Sequence, residues 1–267
     1  MRILLFVAAV LLAGCETTPV APTNEAAHQL APTGTLRVAV LTSNPIIGTR
    51  DAKTGEISGT TVPLVKELAI RAGIEMRLIE YTAIPQLMAH AAVGVWDVAV
   101  VAIDPARRNV VDFAPAHLAA DGFLTVLVRP DSTDKVMADI DQPGRKIAAV
   151  RGAAPLMILE RTLKNAKTVA ADNEDAAFAL MRDGQADGYA QNRFMLRARA
   201  KTLPGSRVLD DAFSGLRLAF ALPKGRPLAL KFVAEYIEEA KASGLVQGAI
   251  NDAGMKDEVR VAPPDGH

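Results

Sequence analysis

One cysteine, Cys15, stands in a chain of 267 residues, so no disulfide can form within it. Histidine is nearly as scarce: residues 28, 90, 117 and 267 are scattered, and without a second cysteine a structural zinc site has too few ligands. Neither a metal nor a cofactor is expected. Charge of one sign is not in excess either, with 30 basic and 30 acidic residues, and a balanced chain gives no reason to expect nucleic acid. There is no Ser-His-Asp or Cys-His constellation, no Walker loop, no GxGxxG fingerprint and no repeat at solenoid period. What remains is long enough for one large or two smaller globular domains, and half of its residues are hydrophobic.

The first apolar run, "ILLFVAAVLL", follows Arg2 and is too short for a permanent membrane-spanning helix. It runs into "LAGC", which resembles the lipobox of bacterial lipoproteins. That resemblance implies cleavage after residue 14 and a lipid on Cys15, holding the protein to a membrane; the bland alternative is an ordinary secretory signal with an incidental cysteine. Residues 15–34, rich in Thr, Pro and Ala and without an apolar period, read as a flexible tether.

The folded body opens with an alternation of strands and helices. "TLRVAVLT" (35–42) is of strand type, and "TTVPLVKELAIRAG" (60–73) places Val65, Leu68, Ala69 and Ala72 on one helical face with Gly73 past its end. "EMRLIEY" (75–81) is a strand, "IPQLMAHAAVG" (84–94) a helix with Pro85 at its start, and "WDVAVVAI" (96–103) a continuous apolar strand of the kind buried on both faces. This order argues for a doubly wound α/β unit. Two long strands, 122–131 and 215–225, bracket a second α/β unit. We therefore expect one lobe from 35–130 plus 215–252, a second from 131–214, and a disordered tail from 253–267.

Several short motifs occur in a fixed order: "GTLRVAV", "GTTVPLVKELA", "IPQLMAHAAVGVWDVAV", "IDPARRNVVDFAPAH", "KIAAVRGAA", "GQADGYAQN" and "LRLAFALPKG". Together they resemble the bacterial extracytoplasmic solute-binding proteins of family 3, the polar amino acid type, over roughly residues 34–252. The resemblance implies a type II periplasmic-binding-protein fold: two α/β lobes joined by two crossover strands, with a ligand cleft between them. It also implies a monomeric binder of a small carboxylate solute, located in the periplasm and served by an ABC permease.

"IDPARRNVVDF" is similar to the family's "ITPERRKVVDF", in which the first arginine of the pair forks onto the ligand's carboxylate; the resemblance implies that role for Arg107. A planar guanidinium suits a carboxylate on chemical grounds as well. The alternative is a solvated first-turn arginine, which is how we read Arg108. Ala102 and Asp104 stand where the family usually has Thr or Ser. Asp104 either neutralises Arg107 or caps a helix. The family's acid for the α-ammonium is replaced by Asn192, which can accept a hydrogen bond but carries no charge. Gly152 and Ala153, at a strand-to-helix turn, are candidates to hold an anion through backbone N–H groups. Asn44 and Tyr81 are lesser candidates; His117 and Trp96 read as packing.

These departures predict a keto or hydroxy acid in preference to an amino acid, unless an acid such as Asp51 or Asp172 reaches the cleft. The sequence favours a binder over an enzyme. A cyclohexadienyl (prephenate or arogenate) dehydratase on the same scaffold and a sensor or orphan module remain the alternatives.

Overall fold

The computed structural model describes residues 21–264; the expected signal peptide and Cys15 lie outside them. Helix α1 (Asn24–Leu30) leads into β1 (Leu36–Leu41), the hairpin β2 (Thr49–Arg50) and β3 (Ile57–Ser58), then α2 (Thr61–Ala72), β4 (Met76–Tyr81), α3 (Ile84–Ala92) and β5 (Val98–Ala102). A 3-10 turn at Pro105–Asn109 connects to β6 (Val111–Val128). There follow α4 (Met137–Ile140), β7 (Lys146–Val150), α5 (Ala154–Thr162), β8 (Lys167–Ala171), α6 (Glu174–Arg182), β9 (Gly188–Asn192), α7 (Arg193–Ala200) and β10 (Arg207–Val208). The chain returns along β11 (Ser214–Pro223) and closes with α8 (Pro227–Ala242), α9 (Leu245–Asp252) and β12 (Arg260–Val261).

The main sheet runs β4-β1-β5-β11-β6-β9-β7-β8. β1 pairs in parallel with β4 and β5, and β7 in parallel with β8 and β9; β6 and β11 run antiparallel to their neighbours. The result is two α/β lobes joined through β6 and β11. β6 pairs with β11 along its first part and with β9 from Leu124 to Val128.

Sequence pattern explains the first lobe. "VAVVA" is buried at every position of β5 because helices cover both faces of a parallel sheet. α2 buries Val65, Leu68 and Ala69 and stops at Gly73, whose φ of 65° is the left-handed conformation a side chain would disfavour. α8 lays Val233, Tyr236, Ile237 and Ala240 into the same core.

Three expectations are corrected. Residues 24–30, assigned above to a flexible tether, form a helix: Thr23 caps it through the Ala26 amide at 3.2 Å, and Ala26 and Leu30, four apart, are buried. The Gln29 side chain accepts from the Leu228 amide at 2.9 Å, fastening α1 to the start of α8. The tail is not disordered as far as residue 264, since Met255, Val259 and Ala262 are buried and β12 adds to β6. Finally, the first crossover strand begins at Val111, eleven residues before the expected start. A register shift opposite Ala219–Ala221 leaves room for Pro115, which has no N–H to give to a ladder.

Candidate functional site

A cleft of about 710 Å³, space open to solvent included, lies between the lobes. Its walls come from strand ends and helix starts: Leu41 and Ala102 where β1 and β5 stop, Val150 at the end of β7, Ala154 at the start of α5, Glu174 at the start of α6 and Asn192 at the end of β9. Open α/β sheets place ligands at such strand ends.

Arg107 is the only cationic side chain lining the cleft among the described residues, and it is 5% exposed. The 3-10 turn aims it. Asp104 caps that turn by accepting from the Ala106 amide at 2.9 Å, and the Arg107 amide donates to the Asp104 carbonyl at 3.1 Å. The guanidinium donates from Nη1 to the Ala102 carbonyl at 2.7 Å and from Nη2 to the Gly152 carbonyl of the other lobe at 3.0 Å. Its Nε is buried and has no hydrogen-bond partner among the described residues. Burial lowers its pKa to about 10, against the opposing charge of Asp104, so it stays protonated at neutral pH. Arg108, next in sequence, is exposed and lies over the Phe113 ring at 5.5 Å.

Asp104 is buried but does not line the cleft. Besides capping, it accepts from Arg161 of α5, Nη2 to Oδ2 at 2.7 Å and Nη1 to Oδ1 at 3.3 Å, which ties one lobe to the other. Burial would raise its pKa; the Arg161 and Ala106 hydrogen bonds and the charge of Arg107 outweigh that and hold it below the ordinary value.

Asn192 lines the cleft, and its side-chain oxygen caps α7 by accepting from the Met195 amide at 2.8 Å. Asn44 lines it too, with Oδ1 accepting from the Ile46 amide at 3.2 Å. Gly152 has φ +68°, and a Cβ there would come within 3.5 Å of Pro85 across the lobes; Ala153 follows it on the cleft wall.

Sequence reasoning missed Glu174. It is the first residue of α6, whose cap is Asn173, and it lines the cleft. Its Oε1 accepts from Gln191 Nε2 at 2.7 Å and its Oε2 accepts from the Tyr189 hydroxyl. Burial raises its pKa, and the two donors and the nearby Arg199 only partly offset this. The signal was present as "DNEDAAF", but an acid behind an Asn cap reads first as a partner of the helix dipole.

The profile of the bacterial extracellular solute-binding proteins, family 3, matches residues 36–252. The chain belongs to this family. Among its relatives is the virulence sensor protein BvgS of Bordetella bronchiseptica, 28% identical over 169 residues, which cover 62% of this chain and 13% of that one. The chain thus spans only a small part of the length of those sensors. A glutamine-binding protein of Geobacillus stearothermophilus is 24% identical over 207 residues, covering 75% of this chain and 77% of the other. Among solved structures, the ancestral amino acid-binding protein AncCDT-1, a precursor of cyclohexadienyl dehydratase, superimposes with a TM-score of 0.68 at 25% identity, covering 85% of this chain and 97% of that one.

In this family 3 protein, the structure brings Arg107, Ala102, Ala153, Asn44 and Asn192 to one cleft. It does not bring Tyr81. That ring is buried and its hydroxyl meets His90 Nδ1 of α3 at 2.8 Å, while the cleft is lined by Thr82, Ala83 and Ile84, which follow the end of β4. Asp51 is also absent; it is exposed and accepts from the Lys53 and Thr54 amides at 2.8 Å each. Asp172 lines the rim, 84% exposed, with Arg151 at 3.4 Å.

Proposed function

We propose that the protein captures a small carboxylate-bearing solute in this cleft and hands it to an ABC-type permease, held at the membrane by lipid on Cys15. The observation that carries the reading is the Arg107 guanidinium: nine-tenths buried, charged, at the cleft wall, with Nε unpartnered among the described residues. A buried N–H without a partner is costly, and a carboxylate oxygen satisfies it with a charge-assisted bond. α5 starts on the same wall at Ala154, and its leading amides have no partner inside the helix. The family and the amino acid-binding relatives support the same assignment.

The test is thermal shift against amino acids, keto acids, hydroxy acids and their amides. A ligand at a hundred times its Kd stabilises by about 2.7 kcal/mol. Arg107→Gln is expected to abolish the shift and Arg108→Gln to keep it; the reverse order, or a stronger response to the amides than to the acids, refutes the clamp.

A second reading adds chemistry to the same cleft. Glu174 is a carboxyl group with a raised pKa, a property suited to a general acid, and a precursor of a dehydratase shares the fold. Formation of an aromatic product from prephenate or arogenate, followed by absorbance, would establish it; no turnover leaves the binder.

A further inference from the structure

Glu174 brings to the cleft a carboxyl group that a carboxylate clamp alone does not need, and a cation placed against it would favour its ionised form. Its carboxylate has about four lone-pair positions. Gln191 and Tyr189, both on β9, take one on each oxygen, leaving acceptor capacity on a side chain that lines the cleft. No other lining group does this job. Asn192, at the family's acid position, is uncharged and its oxygen is engaged by the Met195 amide. Asp172 is solvated at the rim beside Arg151.

The rest of the wall narrows the ligand further. Leu41, Ile47 and Ile84 face it from the first lobe and Leu124, Leu216 and Leu218 from the crossover strands, and no aromatic ring lines it among the described residues. The amide oxygens present each already accept a backbone amide or brace a neighbour, and the remaining neutral polar side chains on the wall are Ser43 and Thr82. Asn44, Asn173 and Asn192 accept from the backbone amides of Ile46, Ala176 and Met195, and Gln191 spends its oxygen on the Asn192 amide and its nitrogen on Glu174. Two hydroxyls are too few for a side chain with many N–H donors, some of which would be left unpaired on burial, whereas hydrocarbon meets the leucines and isoleucines of the wall at no such cost.

Resting on Arg107 as the carboxylate clamp, we propose that Glu174 receives the α-ammonium of the ligand and that the aliphatic wall selects an amino acid with a hydrocarbon side chain, in the range from alanine to leucine. Glu174 thereby takes over from another helix the role that Asn192 cannot fill, and the keto-acid preference expected from the sequence gives way.

The experiment is titration calorimetry at pH 7.5 with two matched pairs, leucine with 4-methyl-2-oxopentanoate and alanine with pyruvate, together with glutamine and arginine. The proteins are wild type, Glu174→Gln and the double variant Glu174→Gln/Asn192→Asp, each first shown to have a normal urea midpoint. Wild type is expected to bind leucine or alanine about tenfold or more tighter than its keto acid and tighter than glutamine or arginine. Glu174→Gln should weaken the amino acid by about 30-fold or more and leave the keto acid nearly unchanged, since the loss of one partner from a buried charge pair is large. Recovery of amino acid binding in the double variant would confirm that charge on this wall is what is read. Equal losses for both members of a pair would show that Glu174 only braces β9, and would overturn the assignment. Wild type preferring the keto acids would overturn it while leaving the Arg107 clamp intact. No binding by any carboxylate in the panel would remove both.

Discussion

Arg161→Gln is the perturbation that tests how the lobes are held together. Arg161 of α5 reaches Asp104 with Nη2 at 2.7 Å from Oδ2 and Nη1 at 3.3 Å from Oδ1. The two ends differ in exposure: the arginine side chain is 47% exposed and the aspartate 2%. Exposed ion pairs contribute about 0.2–1 kcal/mol, while stripping one partner from a fully buried pair costs about 3–5 kcal/mol. A pair with one solvated end belongs between these, at about 1–2 kcal/mol. The Ala106 amide continues to satisfy Asp104, which keeps the loss toward the lower bound. At about 1.36 kcal/mol per decade, the balance between closed and open lobes moves roughly 5- to 30-fold toward open. Small-angle scattering should show a larger radius of gyration for Arg161→Gln, and ligand affinity should fall by no more than the same factor, because binding draws on the closed population. Asp104→Asn removes the charge yet keeps a capping oxygen, so a double-mutant cycle with Arg161→Gln isolates the pair. A coupling near zero together with an unchanged radius of gyration would refute the claim that this contact governs closure.

Two further outcomes are expected. His117 on β6 is fully buried against Phe220 with both ring nitrogens unpartnered among the described residues, and burial, reinforced by the charge of Lys241, lowers its pKa to about 3. The folded state therefore keeps it neutral while the unfolded chain protonates near pH 6.5. Stability present above pH 6.5 is lost as pH falls from there toward 3, by on the order of 4 kcal/mol at the lower end. Urea midpoints at pH 7 and pH 4 should diverge less for His117→Leu than for wild type, and an equal divergence would contradict this. For the anchor, metabolic labelling with a tagged fatty acid should mark wild type and spare Cys15→Ser; labelling of both would remove the lipobox reading.

Elements with a clean period were legible in the sequence. α2 and α3 announced themselves through spacing plus Gly73 and Pro85, and β5 through an unbroken apolar run. Short or irregular elements were not: α1 has only seven residues, and Pro115 disguised the start of β6. In the cleft, Arg107 could be placed because its neighbours on both sides form a recognisable string. The Asp104–Arg161 contact could not, since the two residues stand 57 apart and nothing local marks them as partners. Tyr81 failed for a related reason: one step of strand alternation decides whether a ring faces ligand or helix, and a residue-level register is finer than a motif defines. Glu174 was visible as a residue but not as a site, because its donors, Tyr189 and Gln191, arrive from a strand on the far side of a turn.

β6 is one unbroken strand of eighteen residues whose two ends serve different lobes. Neither lobe therefore owns a complete sheet. If the β7–β8–β9 part melts, Leu124–Val128 loses its partner strand, and if the β1–β4–β5 part melts, β11 loses its support on the other edge of the same ribbon. The consequence is mechanical as well as thermodynamic. Opening the cleft would bend a hydrogen-bonded ribbon rather than swing a slack linker, so the ribbon sets the axis about which the lobes turn. The two halves share this backbone, so each lobe's sheet is completed by residues of a strand that also serves the other.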